Sequence, residues 1–183
     1  TLNYLKGEKV LKDAITLKDK VYVNYSANNP GAYIDPKRSN DGTNQVNYDP
    51  NVGTATVNDD QLDKSQIDQE QGSIQSPALG FLHELDHFLG WIQDGGTTSD
   101  LLNATPEGKY DNLEEARVIT GSEADAANRL GEPIRTNHGG VPVIVNGPTS
   151  RTKFDNVPSI KLQLKVRQEI QNSSKNPAKN PND

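Results

Sequence analysis

The chain has 183 residues, with 25 acidic against 19 basic side chains, a formal net charge of -6 and only 32% hydrophobic residues. That length and a mean hydropathy of -0.79 fit one domain with a modest core. The acidic balance, with no run of Lys and Arg, argues against nucleic acid or an anionic membrane as the main partner. Cysteine is absent, so no disulfide braces the fold and any metal must be held by His, Asp or Glu.

Residues 1–20 mix Leu and Val with Lys and Glu without a clean helical stripe, which fits a short helix or an extended segment. Lys20 to Tyr25 is rich in β-branched and aromatic residues and is followed by Ser26-Ala27-Asn28-Asn29-Pro30-Gly31, so a strand running into a turn is expected. A second strand is expected at 31–35. Gln45 to Pro50 alternates polar with apolar residues, the pattern of a half-exposed strand that Pro50 ends. From 51 to 75 only Val52, Val57, Leu62, Ile67 and Ile74 interrupt a polar composition, which reads as a long surface loop with room for one short helix.

Ser76-Pro77 is the strongest helix start in the chain, a capping residue before a proline at the first helical position, and Gly95-Gly96 is the stop. Between them Ala78, Phe81, Leu82, Leu85, Phe88, Leu89 and Ile92 recur at three- and four-residue steps, giving one apolar stripe. His83, Glu84, Asp86 and His87 interrupt this segment, so it is not a membrane span. Two further short helices are expected, at 112–119 and at 122–130 with Gly131 closing the second. Residues 141–145 read as extended and 159–171 as helical, and 172–183, rich in Asn, Lys, Ser and Pro, as a disordered polar tail. One domain over 1–171 is expected. No Met and no apolar N-terminal segment are present, so the chain reads as a piece or processed form of a longer product.

Residues 83–87 read His-Glu-Leu-Asp-His, the H-E-x-x-H pattern, inside the best-supported helix. At 3.6 residues per turn His83 and His87 share one face, so two imidazole nitrogens can meet one tetrahedral zinc ion. Glu84 is turned about 100° from His83, which suits it to take a proton from water as a general base rather than to bind the metal. A third ligand is needed, and Gln93 stands where the downstream His of H-E-x-x-H-x-x-G-x-x-H would be, although Gly90 fits. Glu114, Glu115 and Glu123 are the candidates. The paired acids beside an apolar helix face let one bind metal while the other braces a ligand His. Glu115 is favoured, since Val118 and Ile119, three and four residues on, turn its face inward.

These pieces resemble the NleD-type bacterial effector zinc metallopeptidases, which are delivered by type III secretion and clip host mitogen-activated protein kinases. The resemblance covers roughly residues 44–140. It is carried by Val46-Asn47-Tyr48-Asp49-Pro50, the helix Phe81 to His87, the Glu114-Glu115 pair and Ala127 to Arg135. They are also similar to clostridial neurotoxin light chains, whose Glu-Glu pair supplies a zinc ligand from its second member, which by analogy supports Glu115. In both groups a late Arg is followed three residues later by Tyr, and the two steady the transition state. Arg135 is present here, but His138 stands where Tyr would be; a His can also donate a hydrogen bond to an oxyanion. No counterpart covers the first 40 residues or those past Val145, so the identity of the substrate is not implied.

The expectation is an α+β, zincin-like metallopeptidase fold. In it a small twisted sheet packs on the His83 helix, and an edge strand at Val46 to Asp49 pairs with an extended substrate along the cleft. The function expected is zinc-dependent endopeptidase cleavage of a protein or peptide, a host protein included, by a secreted effector or toxin domain. Zinc would be held by His83, His87 and Glu115, with Glu84, Arg135 and His138 acting on the substrate. The competing readings are a zinc toxin domain of a larger secreted protein acting on another bond, and a non-catalytic interaction module whose metal shell is closed.

Overall fold

The computed structural model describes residues 1–17, 21–25, 33–34, 44–56, 74–93, 101 and 109–153. The N-terminal stretch forms two helices, α1 (Leu2–Leu5) and α2 (Lys9–Thr16). In α2 the residues Val10, Leu11 and Ala14 turn to the core while Ile15 stays exposed, so one narrow face suffices to dock it. The Glu8 carboxylate just before α2 pairs with Arg129, tying this segment to a helix far along the chain.

The first sheet contains β1 (Val21–Tyr25), β2 (Tyr33–Ile34) and β3 (Asn44–Tyr48), in the order β1-β3-β2. β3 runs parallel to β1 and antiparallel to β2. It is therefore the central strand among the described residues, which corrects the expected edge position. Its alternation records two buried faces of different chemistry rather than an edge: Val46 and Tyr48 pack in the core, while the buried Asn47 accepts a 3.1 Å bond from the Asn24 side chain of the neighbouring strand. A central strand with an apolar face on a helix and polar residues on the other shows the same period of two.

The second sheet overturns the surface-loop reading of 51–75 at both its ends. β4 (Val52–Thr56) and β5 (Ile74–Gln75) join β6 (Gly140–Ile144) in an all-antiparallel sheet of order β5-β4-β6. Gly53, Thr54 and Ala55 carry too little apolar surface to announce a strand; their burial comes from pairing with β6, with Val52 opposite Ile144 and Ala55 opposite Val141. Gly53 has a specific function here, because a Cβ at that position would lie 2.5 Å from the Gln75 backbone oxygen. Its absence lets β5 come close. Residues 57–73 lie outside the described residues, as do the expected helix 159–171 and the tail 172–183.

α3 (Pro77–Gln93) runs through the centre, against β2 and β3 of the first sheet and β4 of the second. Ala78, Phe81, Leu82, Leu85, Phe88 and Leu89 are buried as their spacing predicts, and Leu79 joins them. The Phe81 ring meets Tyr48 with centroids 5.3 Å apart, a tilted contact that fixes the helix on the sheet. The start of α3 is held from three sides. Ser76 Oγ accepts from the Leu79 amide at 3.3 Å, while both Ser76 donors reach the buried Glu132 carboxylate at 2.7 Å. Tyr4 donates to the same carboxylate at 2.9 Å; burial and that neighbour push the Tyr4 hydroxyl up to about 12. A carboxylate beside a helix N-terminus is favourably placed toward the helix dipole.

The two expected helices at 112–119 and 122–130 are one continuous helical run. α4 (Leu113–Val118) passes through a π-helical turn (Ile119–Glu123) into α5 (Ala124–Leu130), which Gly131 ends at φ 67°. Gly121-Ser122 looks like a break and a fresh cap in the sequence. In the structure the wider π register absorbs the extra residue, and the Ser122 hydroxyl donates to Asp86 at 2.5 Å instead of capping. The fold is thus α+β with two small sheets. No helix among the described residues is long and apolar enough to cross a membrane.

Candidate metal centre

All three histidines of the chain meet on one carboxylate. α3 carries His83 and His87 one turn apart, with ring centroids 4.6 Å apart and planes nearly perpendicular. Asn112 caps α4 by accepting from the Glu115 amide at 2.9 Å, which fixes the first turn that bears Glu114 and Glu115. Glu115 Oε2 then lies 3.2 Å from His83 Nε2 and 3.3 Å from His87 Nε2, and the two Nε2 atoms are 3.0 Å from each other.

That triangle is the geometry of a ligand set. Two imidazole nitrogens 3.0 Å apart need a proton or a cation between them, and Glu115 Oε2 is buried with no hydrogen bond of its own. Bonds of 2.0–2.1 Å to a tetrahedral zinc imply ligand–ligand separations of about 3.3 Å, close to the three observed. His83, His87 and Glu115 therefore form a group that could hold a metal ion.

Each ligand imidazole is braced behind. His83 Nδ1 bonds Glu123 Oε2 at 2.7 Å and His87 Nδ1 bonds Glu114 Oε1 at 3.1 Å, the carboxylate–histidine pairing that leaves Nε2 free for a metal. The braces are themselves held. Glu123 accepts from Gln75 Nε2 at 2.8 Å and from Arg135 Nε at 2.8 Å and Nη2 at 2.5 Å. Glu114 accepts from Arg117 Nε at 2.8 Å and Nη2 at 2.6 Å, and Arg117 also reaches Asp86 Oδ2 at 3.1 Å. The wide π-turn matters because it separates Glu114-Glu115 from Glu123, so that one helical run supplies a ligand and a brace to each ring.

No protein-family model, curated protein or solved structure matches the chain. The chemistry of the site is carried by its own geometry.

Carboxylates outnumber guanidinium groups here, so with neutral imidazoles the site is net negative and attracts a cation. In the metal-free protein, protons answer that demand. Burial works against a charged imidazole, yet the close Glu115 and Glu123 carboxylates outweigh it and raise His83, and Glu114 and Glu115 raise His87 to about 10. Burial likewise pushes the acids up, but the two rings hold Glu115 far below the ordinary carboxylate range, and Arg135 with His83 brings Glu123 down to about 2. A metal must displace these protons.

The structure separates the three acids that the sequence leaves as alternatives. Glu115 alone reaches both Nε2 atoms, whereas Glu114 and Glu123 sit behind the rings on Nδ1. Arg135, expected beside the substrate, has a side chain 10% exposed that pairs with Glu123 and comes within 3.2 Å of His83 Nδ1. His138 also reaches Glu115, its Nε2 3.3 Å from Oε2, but is not one of the three converging groups. Glu84 is half-buried next to His83, and its charge helps raise His83, His87 and Arg135, which puts a carboxylate close to the donors. The parts played by Gln75, Asp86, Asp111 and Ser122 are not legible in the sequence. Only Arg117, three residues after Glu114, has a spacing that announces its pairing.

Proposed function

We propose that the chain is a secreted zinc-dependent endopeptidase of zincin-like fold, acting on a protein or peptide substrate, as the resemblance to effector metallopeptidases implies. The observation that carries the reading is the convergence of His83 Nε2, His87 Nε2 and Glu115 Oε2 on one point. Two nitrogens and one oxygen suit zinc and leave a tetrahedral position for chemistry, as in hydrolytic rather than structural sites. When bound, zinc supplies the Lewis acidity that polarises a carbonyl and acidifies water.

The side chains divide the remaining work. Glu84 takes the proton of the attacking water as the oxygen bonds to the scissile carbonyl carbon, and returns it to the amine nitrogen as the C–N bond breaks. His138 donates to the oxyanion that develops on the carbonyl. Arg135 acts through Glu123 and Arg117 through Glu114, each fixing a carboxylate that fixes a ligand ring.

The test is Glu84→Gln in the zinc-loaded chain, assayed on a mixture of unstructured peptides with the products read by mass spectrometry. Loss of a proton-transfer group costs about 100-fold or more in rate, while zinc stays bound. Equal turnover by wild type and E84Q would refute the mechanism.

A further inference from the structure

Resting on the metal centre but on no particular reaction, we propose that Asp86 is a positioning residue that holds the His87 ring on the metal-binding point through Arg117 and Glu114. The four groups close a circuit. Asp86 and His87 are consecutive on α3, and Asp86 Oδ2 accepts from Arg117 Nη1 at 3.1 Å. Arg117 holds Glu114 by two bonds of 2.8 and 2.6 Å, and Glu114 Oε1 meets His87 Nδ1 at 3.1 Å. The helix that carries the ring therefore also fixes the group that braces it.

The geometry of Arg117 makes this an orienting device and not a loose charge pair. Its Nε and Nη2 take the two oxygens of Glu114, its Nη1 takes Asp86 Oδ2, and Nη2 also reaches the Asp86 carbonyl oxygen at 3.3 Å. A planar guanidinium bound along two edges has one orientation, which an ammonium with rotating donors does not reproduce. The Glu114 side chain is 1% exposed, so its oxygens stay where Arg117 and His87 put them. Asp86 is fixed in turn, because Ser122 of the π-turn donates to the same Oδ2 at 2.5 Å. Two consecutive residues of that turn thus serve different rings, Glu123 by bonding His83 directly and Ser122 by way of Asp86. Asp86, Arg117 and Ser122 also line a cavity of about 450 Å³, so shortened side chains there open into existing space rather than leaving a sealed void.

The experiment loads the full chain with cobalt(II), which accepts the same nitrogen and oxygen ligands as zinc. Affinity is read by competition with a chelator, and ring orientation by the visible absorption of the bound ion. Asp86→Ala should weaken the metal about 10-fold and shift the absorption bands, with smaller changes in the same direction for Asp86→Asn and Ser122→Ala. The Asp86→Ala/Glu114→Gln double variant should bind no more weakly than Glu114→Gln alone, because Asp86 acts through that carboxylate. Arg117→Lys keeps the charge but loses the fork, and should match Asp86→Ala. Arg129→Ala breaks the pair with the buried Glu8 and is the control for destabilisation alone: its Tm should fall while affinity and spectrum stay those of wild type.

Unchanged affinity and spectrum in Asp86→Ala overturn the proposal. So do losses that add in the double variant, full rescue by Lys at position 117, or an equal loss in Arg129→Ala, each of which would make Asp86 a general support of the fold. If Asp86→Ala does not fold, the spectra of Asp86→Asn and Ser122→Ala decide in the same way. A wild type that takes up neither cobalt nor zinc sinks the metal centre and the proposal with it. A chain that binds metal with the expected losses yet cleaves no peptide upholds the positioning role and sinks the peptidase reading.

Discussion

Replacing Glu123 with Gln separates the bracing of the metal site from the metal itself. Glu123 and Arg135 are 2% and 10% exposed in their side chains, so their attraction is little screened, and removing one partner of such a buried pair costs about 3–5 kcal/mol. Gln keeps the shape and one acceptor oxygen but turns an amide group toward the Arg135 and Gln75 donors, so a loss near the lower end, about 3 kcal/mol, is expected. For a chain of this size that corresponds to a fall in Tm of roughly 6–12 °C. His83 Nδ1 also loses its carboxylate, and zinc affinity should drop about 10- to 100-fold. Urea unfolding of the metal-free protein, followed through Trp91, the single tryptophan of the chain, gives the first figure; competition with a chelator gives the second. Arg135→Gln should destabilise too, and the double variant should lose less than the two single losses combined, because neither buried charge is then left alone. A metal-free E123Q within about 0.5 kcal/mol of wild type, or with unchanged zinc affinity, would refute the reasoning.

The pH dependence follows from signs already set by the site. His87 is raised from 6.5 to about 10 in the metal-free protein, so its contribution to stability is full below pH 6.5 and is lost as pH rises through about 10. Zinc binding at pH 7 should release between about one and two protons, visible by calorimetry in buffers of different ionisation enthalpy; no release would contradict the charge balance. Glu123 is lowered from 4.5 to about 2, so its contribution is present above pH 4.5 and disappears as pH falls through about 2. Glu115→Ala should reduce zinc content from about one ion per chain to none, whereas Glu114→Gln should only weaken binding about 10- to 100-fold; metal analysis after dialysis distinguishes them, and equal effects would erase the division into ligand and brace. Gly53→Ala should cost about 1–3 kcal/mol by forcing β5 outward from its 2.5 Å approach, and a stability matching wild type in urea would show that the close approach is not needed.

Local patterns in the chain determined where α3 begins, which of its faces is buried and that two imidazoles share one side of it, because capping chemistry, helical periodicity and the spacing of His83 and His87 all operate within a few residues. The same holds for the strand character of 21–25 and 44–48 and for the inward face of Glu115. What depended on contacts between distant segments was open until the chain folded. Val52–Thr56 becomes a strand because β5 and β6 pair with it, and β3 is central because β1 and β2 flank it; neither fact is written in the residues of the strand itself. The choice among Glu114, Glu115 and Glu123 was likewise undecidable from spacing, since all three lie on one helical run. The folded helical run with its π-turn brings one carboxylate, Glu115, to both Nε2 atoms and places the other two on the Nδ1 atoms behind the rings. Arg135 and His138, close in sequence, pair with different carboxylates, Glu123 and Asp111. Buried charge goes where a partner already waits, and partners are made by tertiary structure.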